Sequence, residues 1–226
     1  MKETSYAFPA PIADAMIRAL LEGRKSQIRV PVNNRKWMQV YDGIDYANGA
    51  DFMGPGIYHP TVIKRGIEQP GPEMFGIYSS DGEWGIPSPL GAPGDRVRFR
   101  EAWGKTYEPI HWDGGCATND GTVRYRADYV PVGAIIGPKP EKWRSSHTMP
   151  RHLSRISREI VSVRVERVQE ISNKDAKAEG AVLSERIKNL QCWHASYRAG
   201  FASLWNRAYL PESWCENPLV WVYEVK

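Results

Sequence analysis

Leu20-Leu21-Glu22-Gly23-Arg24-Lys25-Ser26-Gln27-Ile28-Arg29 ends an amphipathic helix at a glycine and begins a strand. Upstream, Ile12, Ala15, Met16, Ala19 and Leu20 recur at helical spacing. Pro11 suits the first helical turn, where its missing N–H has no intrahelical partner to lose. Asp14 lies towards the helix end that favours an anion, and Gly23 suits the C-cap. Downstream, the strand from Lys25 to Val30 stops at Pro31. Lys25, Gln27 and Arg29 alternate along it, so they share one face. Such a row fits a phosphate, a base edge or a carbonyl. It also fits a solvated strand face behind a glycine cap, and the spacing leaves both readings open.

Outward from this junction the chain alternates strands and helices of an α+β fold. In Arg96-Val97-Arg98-Phe99-Arg100-Glu101-Ala102-Trp103, the residues Val97, Phe99 and Glu101 share one face, and Arg96, Arg98 and Arg100 share the other. Further strands are expected at 122–126 and from Leu219 to Val225. Val161, Val163 and Val165 alternate, but Ile160 and Val168 fall out of phase, which predicts bulges that bend a long strand. Ser172 and Asp175 form a capping box opening a short helix, Asn173 to Glu179, closed by Gly180. Another helix is marked by Phe201, Leu204, Trp205 and Ala208, and a polar stretch predicts one from Leu183 to Leu190. Residues 31–93 are rich in Gly and Pro and read as a loop-rich insertion in one domain spanning 1–226. Its aromatic residues Trp37, Phe52, Tyr58, Phe75 and Trp84 suit an ordered cover, with a strand at 37–41.

Bulk properties exclude several classes. Of 226 residues, 42% are hydrophobic and 25% charged, which is globular rather than disordered. No leader-like apolar region and no apolar run of spanning length occurs, so no membrane partner is expected. Cys116, Cys192 and Cys215 form no CxxC pair, which argues against a disulfide framework or a Cys-rich zinc site and suits a cytoplasmic setting. His111, Trp112, Asp113 and Cys116 lack tight ligand spacing, so neither metal nor cofactor is expected. A net charge of +4 with nine Trp is compatible with a nucleic-acid partner. The most basic passage, 143–158, holds Arg144, His147, Arg151, His152, Arg155 and Arg158. It reads as a phosphate-contacting loop or as a solvated rim.

Several segments together resemble a known family. They are 16–29, 93–96 with 100–103, Tyr125-Arg126-Ala127-Asp128, Met149-Pro150-Arg151 with Ser154-Arg155-Ile156, 163–172, 175–180 and 214–222. In this order they resemble the ASCH domain proteins of the PUA-like superfamily, within them a group encoded by phages and prophages. The resemblance implies a small, bent β-barrel with flanking helices and a ligand cleft beside the Gly23-x-Lys25 element. It also implies a bacterial host cytoplasm, and RNA, DNA or a modified nucleoside as partner. Nothing in the sequence sets the oligomeric state.

The implied ligand set is Gly23, Lys25, Gln27 and Arg29 with Arg100, Glu101, Trp103, Tyr125 and Arg151. Trp103, Trp143 or Tyr125 can stack a base. A small bacterial amidohydrolase of N4-acetylcytidine is a similar protein whose catalytic set is a Lys, a Thr and a Glu. Lys25 and Glu179 match that Lys and Glu, and Ser26 or Gln27 stands nearest the Thr. A dry cleft would lower the Lys25 pKa and let the pair work as base and acid; the same two residues also suit a plain salt bridge. Three functions follow. The first is nucleic-acid or nucleotide binding. The second is hydrolysis through Lys25 and Glu179, as an amidohydrolase or a ribonuclease. The third is a phage assembly role, which predicts an exposed apolar patch from 31–93.

Overall fold

The structure, a computed structural model, describes residues 1–32, 52–107, 109–112, 115–118, 121–129, 139–183 and 196–226, with 109–112 and 115–118 described for the backbone alone. The chain is α+β, with many strands and few helices. It begins with β1 (Glu3–Ala7), α1 (Ala13–Leu21) and β2 (Gln27–Pro31). Five short strands follow, β3 (Phe52–Tyr58), β4 (Thr61–Lys64), β5 (Ile67–Pro70), β6 (Met74–Ser79) and β7 (Gly85–Pro87). Next come β8 (Arg96–Arg100), β9 (Trp103–Thr106), β10 (Pro109–Trp112), β11 (Gly115–Thr118), β12 (Thr122–Tyr125) and the long β13 (Ile156–Arg167). Last are α2 (Asn173–Ala178), α3 (Tyr197–Ala208) and β14 (Leu219–Val225).

The central sheet runs β1-β8-β13-β14-β2. The β1–β8 pair is parallel and the other three pairs are antiparallel. Alternation decides what each strand buries. Val97 and Phe99 of β8 are fully buried, while Arg96, Arg98 and Arg100 are half-buried on the other face. In β14, Trp221, Tyr223 and Val225 enter one core with α1, and Val220 and Val222 enter a second core with α2 and α3. β14 is thus apolar on both faces because helices cover both. The expected bulge occurs where the β13–β14 register slips between Ile160 and Ser162, leaving Val161 exposed. Val168 lies beyond the strand in a 3-10 turn.

Some boundaries differ from expectation. Helix α1 starts at Ala13; Pro11 lies in the preceding turn, which the Ile12 N–H closes on the Pro9 carbonyl at 3.1 Å. β2 starts at Gln27, after a single bridge at Lys25. Residues 52–87, expected to be loop-rich, carry five short strands. Turns at Gly and Pro keep each strand short without abolishing pairing: β3-β6-β7 form one sheet and β4-β5 a hairpin. Ile77 and Ile86 anchor this sheet in the α1 core. The expected strand at 37–41 and helix from Leu183 to Leu190 lie outside the described residues, apart from Leu183 itself.

β1 and β2 are the outer strands of the central sheet, yet Tyr6 of β1 and Ile28 and Arg29 of β2 line one cavity. The sheet therefore curls until its edges face each other. Among the described residues no backbone pairing joins those edges, so the sheet is not closed. No helix among the described residues is long and apolar enough to cross a membrane.

Candidate functional site

The site starts at the end of α1. Gly23 adopts φ +71°, Arg24 N–H bonds the Ala19 carbonyl at 2.9 Å, and Gly23 N–H bonds the Leu20 carbonyl at 3.2 Å. This Schellman-type ending turns the chain sharply into Lys25. On the far side of the chain, the Ser172 hydroxyl caps α2 by accepting from Asp175 N–H at 3.0 Å. α2 ends at Ala178 with Glu179 as its C-cap, followed by Gly180 at φ +80°. A Cβ at Gly180 would lie 2.9 Å from the Ala19 Cβ and 3.4 Å from the Lys25 Cβ. Glycine there lets the two chain turns cross closely, and Lys25 and Glu179 pair through a backbone bridge.

The side chains then complete the contact. Lys25 Nζ donates to Glu179 Oε2 at 2.5 Å and to the Glu179 carbonyl at 2.8 Å. Arg29 Nη1 donates to Glu179 Oε1 at 3.0 Å and to Gln27 Oε1 at 3.1 Å. Its Nη2 donates to Glu166 Oε1 at 2.5 Å. Gln27 Nε2 donates to Asp175 Oδ1 at 2.9 Å. Arg164 closes the network by pairing Glu166, Glu224 and Asp175 at 3.0, 3.2 and 3.5 Å. Three cations thus face four carboxylates. The side chains of Lys25, Arg29 and Glu179 are only 2%, 1% and 4% exposed, so this centre is sealed from bulk water.

Burial lowers the Lys25 pKa; the Glu179 carboxylate pulls it back and Arg29 adds to the lowering. For Asp175, burial pushes upward, but hydrogen bonds from Gln27 and Ser172 and the nearby Arg164 and Arg29 charges leave the pKa lowered. Beside the pair lies a cavity of about 30 Å³, walled by Tyr6, Phe8, Ile28, Phe201 and Tyr209. That volume suits about one or two water molecules, not a nucleoside. Lys25 Nζ sits 5.4 Å from the Phe8 ring centre, and the Arg29 guanidinium 5.7 Å from that of Phe201. Burial pushes the Tyr6 and Tyr209 phenols up.

The predicted residues fall into two groups. Lys25, Gln27 and Arg29 are brought together with Glu179, but as an internally satisfied network instead of an open row. Ser26 points elsewhere: it is exposed, and its N–H donates to the Ala178 carbonyl at 2.8 Å. Strand alternation separates it from its two neighbours. Gly23 serves the turn and contributes no side chain. Arg100, Glu101, Trp103, Tyr125 and Arg151 form the second group, and none of them lines the Lys25 cavity.

Arg155 organises that second group. It clamps Glu101 with two bonds of 2.9 Å and Asp128 with bonds of 2.6 and 2.9 Å. Its guanidinium stacks 4.0 Å from the Tyr125 ring centre. Burial pushes the Glu101 carboxyl up, against the pull of Arg155. The Tyr125 ring therefore has one face taken, and Trp103 is 4% exposed beneath Arg144 at 5.0 Å. Trp103 is therefore no open stacking platform for a base, and Tyr125 has one face already occupied. Trp143 is half-buried and packs edge-on against Tyr129 at 5.2 Å.

The basic passage is pinned across the arginine face of β8. Arg98 donates to the Arg151 carbonyl at 2.8 Å, and Arg100 donates to the His147 carbonyl at 3.2 Å. Trp103 and Arg144 exchange backbone hydrogen bonds. Pinned in this way, Lys142, Arg144, His147, Arg151 and His152 are exposed. Arg151 also reaches Glu3, which Arg98 holds with two bonds of 2.7 Å.

Sequence reasoning missed Glu166, Asp175 and Glu224 as partners of β2, Arg164 as the cation that links those carboxylates, and Arg155 as the clamp. Alternation of charge along 164–166 was the available signal, but pairing across strands supplies the meaning. Among the described residues no cluster of His, Cys, Asp and Glu suits a metal. The side chains of His111, Trp112, Asp113 and Cys116 lie outside the described residues. Comparison with protein families, curated proteins and solved structures finds no match.

Proposed function

We propose that this chain is a PUA-like nucleic-acid-binding protein of phage origin, working in a bacterial cytoplasm. The curled, unclosed five-stranded sheet takes the place of the bent barrel, and the passage 142–152 is its phosphate-contacting surface. One observation carries this reading. Exposed Lys142, Arg144, His147, Arg151 and His152 stand on a turn fixed by β8 and β9, and among the described residues only Arg151 has an acidic partner. Lys and Arg side chains presented from a fixed backbone can meet a phosphate backbone and release its counterions. Anisotropy titrations with labelled single-stranded RNA and DNA test the reading. Affinity is expected to fall steeply between about 50 and 200 mM salt. Binding indifferent to salt contradicts it.

A second reading, hydrolysis through Lys25 and Glu179, is favoured by their 2.5 Å contact beside a water-sized cavity and by the lowered Lys25 pKa. Turnover of acylated cytidines that vanishes in Glu179→Gln supports it; full turnover in that variant refutes it. A third reading, an assembly surface, is favoured by exposed Met53, Ile57, Ile63 and Ile67 on β3 to β5. It predicts that charged replacements of Ile63 and Ile67 abolish capture of a phage structural protein.

A further inference from the structure

The seal over the Lys25–Glu179 centre is uneven. Among the rings that wall its small cavity, Phe8, Phe201 and Trp205 are buried core residues. Tyr6 is half-buried but held in β1, edge-on to Phe8 and Phe99 with ring centres 5.1 and 6.2 Å apart. Tyr209 is placed differently. It is half-buried at the C-cap of α3, where its N–H closes the last helical turn on the Trp205 carbonyl at 3.0 Å. Leu210, Pro211 and Glu212, which follow it, are exposed. The Glu179 charge reaches Tyr209 and adds to the push of burial on its phenol.

Tyr209 also stands between two spaces. On one side is the small cavity with Lys25 and Glu179; on the other is a cavity of about 680 Å³ that reaches the surface at exposed Leu210 and Glu216. The ring therefore has room to leave the small cavity without displacing the core. A tyrosine side chain has three staggered positions about its first bond, so an open position is a discrete alternative to the closed one. Helix α3 need not move with it. Phe201, Ala202 and Trp205 are buried in the second core, and Arg198 ties the first turn to the Gln169 carbonyl at 2.7 Å. What the ring gives up is its tilted contact with Trp205, at 4.4 Å between ring centres.

We propose that Tyr209 is a gate on the Lys25–Glu179 centre, shut in this structure and opened by rotation of its ring into the larger cavity. Shut, the gate leaves the amine and the carboxylate as a dry ion pair that ties the end of α1 to the end of α2. Open, it joins the two cavities and lets water and small molecules reach both groups. Such an opening is local, because it exposes one ring and one small cavity while the two cores stay packed. The gate concerns access alone and depends on none of the three readings of function; hydrolysis at Lys25 would need its open state.

Acetylation of the full chain by acetic anhydride, followed at Lys25 by peptide mass spectrometry, tests the gate, with exposed Lys142 as the internal reference. The rate is measured at several urea concentrations below the unfolding transition, and the urea midpoint of each protein is measured in parallel. In the wild type, Lys25 should react far more slowly than Lys142, at a rate nearly independent of urea, because a local opening exposes little surface. Tyr209→Ala removes the ring and should speed the reaction at Lys25 at least about tenfold, still independent of urea and with Lys142 unchanged. Tyr209→Phe keeps the ring and should restore protection to within about twofold of the wild type. Reaction at Lys25 that rises with urea in step with global unfolding in both the wild type and Tyr209→Ala overturns the gate. So does an equal rate at Lys25 in those two proteins, which would place the opening elsewhere or show that there is none.

Discussion

Two cation-rich regions of this chain look alike on paper and behave in opposite ways. Lys25 and Arg29 alternate towards and along β2, as Arg96, Arg98 and Arg100 alternate along β8. The first pair is sealed against Glu179 and Glu166, which lie 154 and 137 positions away in sequence. Arg98 and Arg100 instead hold the carbonyls of a second basic passage and leave its cations at the surface. Spacing sets which face a charge occupies. The counter-charge brought by a distant strand or helix decides whether it becomes structure or surface.

Removing one partner should therefore hurt most where the network is sealed. Glu179→Ala leaves Lys25 and Arg29 short of a carboxylate in a dry site and should cost about 3–5 kcal/mol in urea unfolding. A loss below about 1 kcal/mol would mean that water reaches the pair. Gly180→Ala attacks the same crossing through the backbone. A side chain at φ +80° against Ala19 should cost about 2 kcal/mol, read as a lower denaturation midpoint. Ser172→Ala removes the α2 cap that positions Glu179, an expected loss of about 1 kcal/mol in the same assay.

Glu101 offers a pH test on the β8 side. Its native pKa is raised above the ordinary 4.5, so the folded state binds that proton more tightly than the unfolded chain. Its burial penalty is fully present above the native pKa and is relieved as pH falls towards 4.5. The stability of the wild type relative to Glu101→Gln should then rise as pH falls through that window. A difference that stays flat across the window would show that Arg155 fully offsets the burial. The smallest effect is expected from Arg151→Ala, at a side chain 74% exposed: an unchanged urea midpoint together with weaker oligonucleotide binding.

Local features were legible in the sequence because local physics sets them. The Gly23 turn, the Ser172 cap, the β13 bulge and the β14 strand all follow from spacing and residue type. The Lys25–Glu179 contact was legible only through the family resemblance. Its sealed state was not, because Phe8, Phe201 and Tyr209 arrive from segments whose packing no local pattern encodes. Tyr125 and Trp103 read as stacking platforms for the same reason: Arg155 and Arg144, which cover them, come from elsewhere in the chain. The strands in 52–87 were hidden by Gly and Pro at their ends, which signal turns more strongly than three- to seven-residue strands signal pairing.

The salt dependence of oligonucleotide binding, compared between the wild type and Arg144→Ala/Arg151→Ala, tests the division between sealed and surface cations most directly. If both arginines meet phosphates, the double variant should bind single-stranded RNA or DNA more weakly for every sequence, with a log–log salt slope shallower by about 1.4. An unchanged slope and affinity in the double variant would contradict the assignment of the basic passage as the nucleic-acid surface.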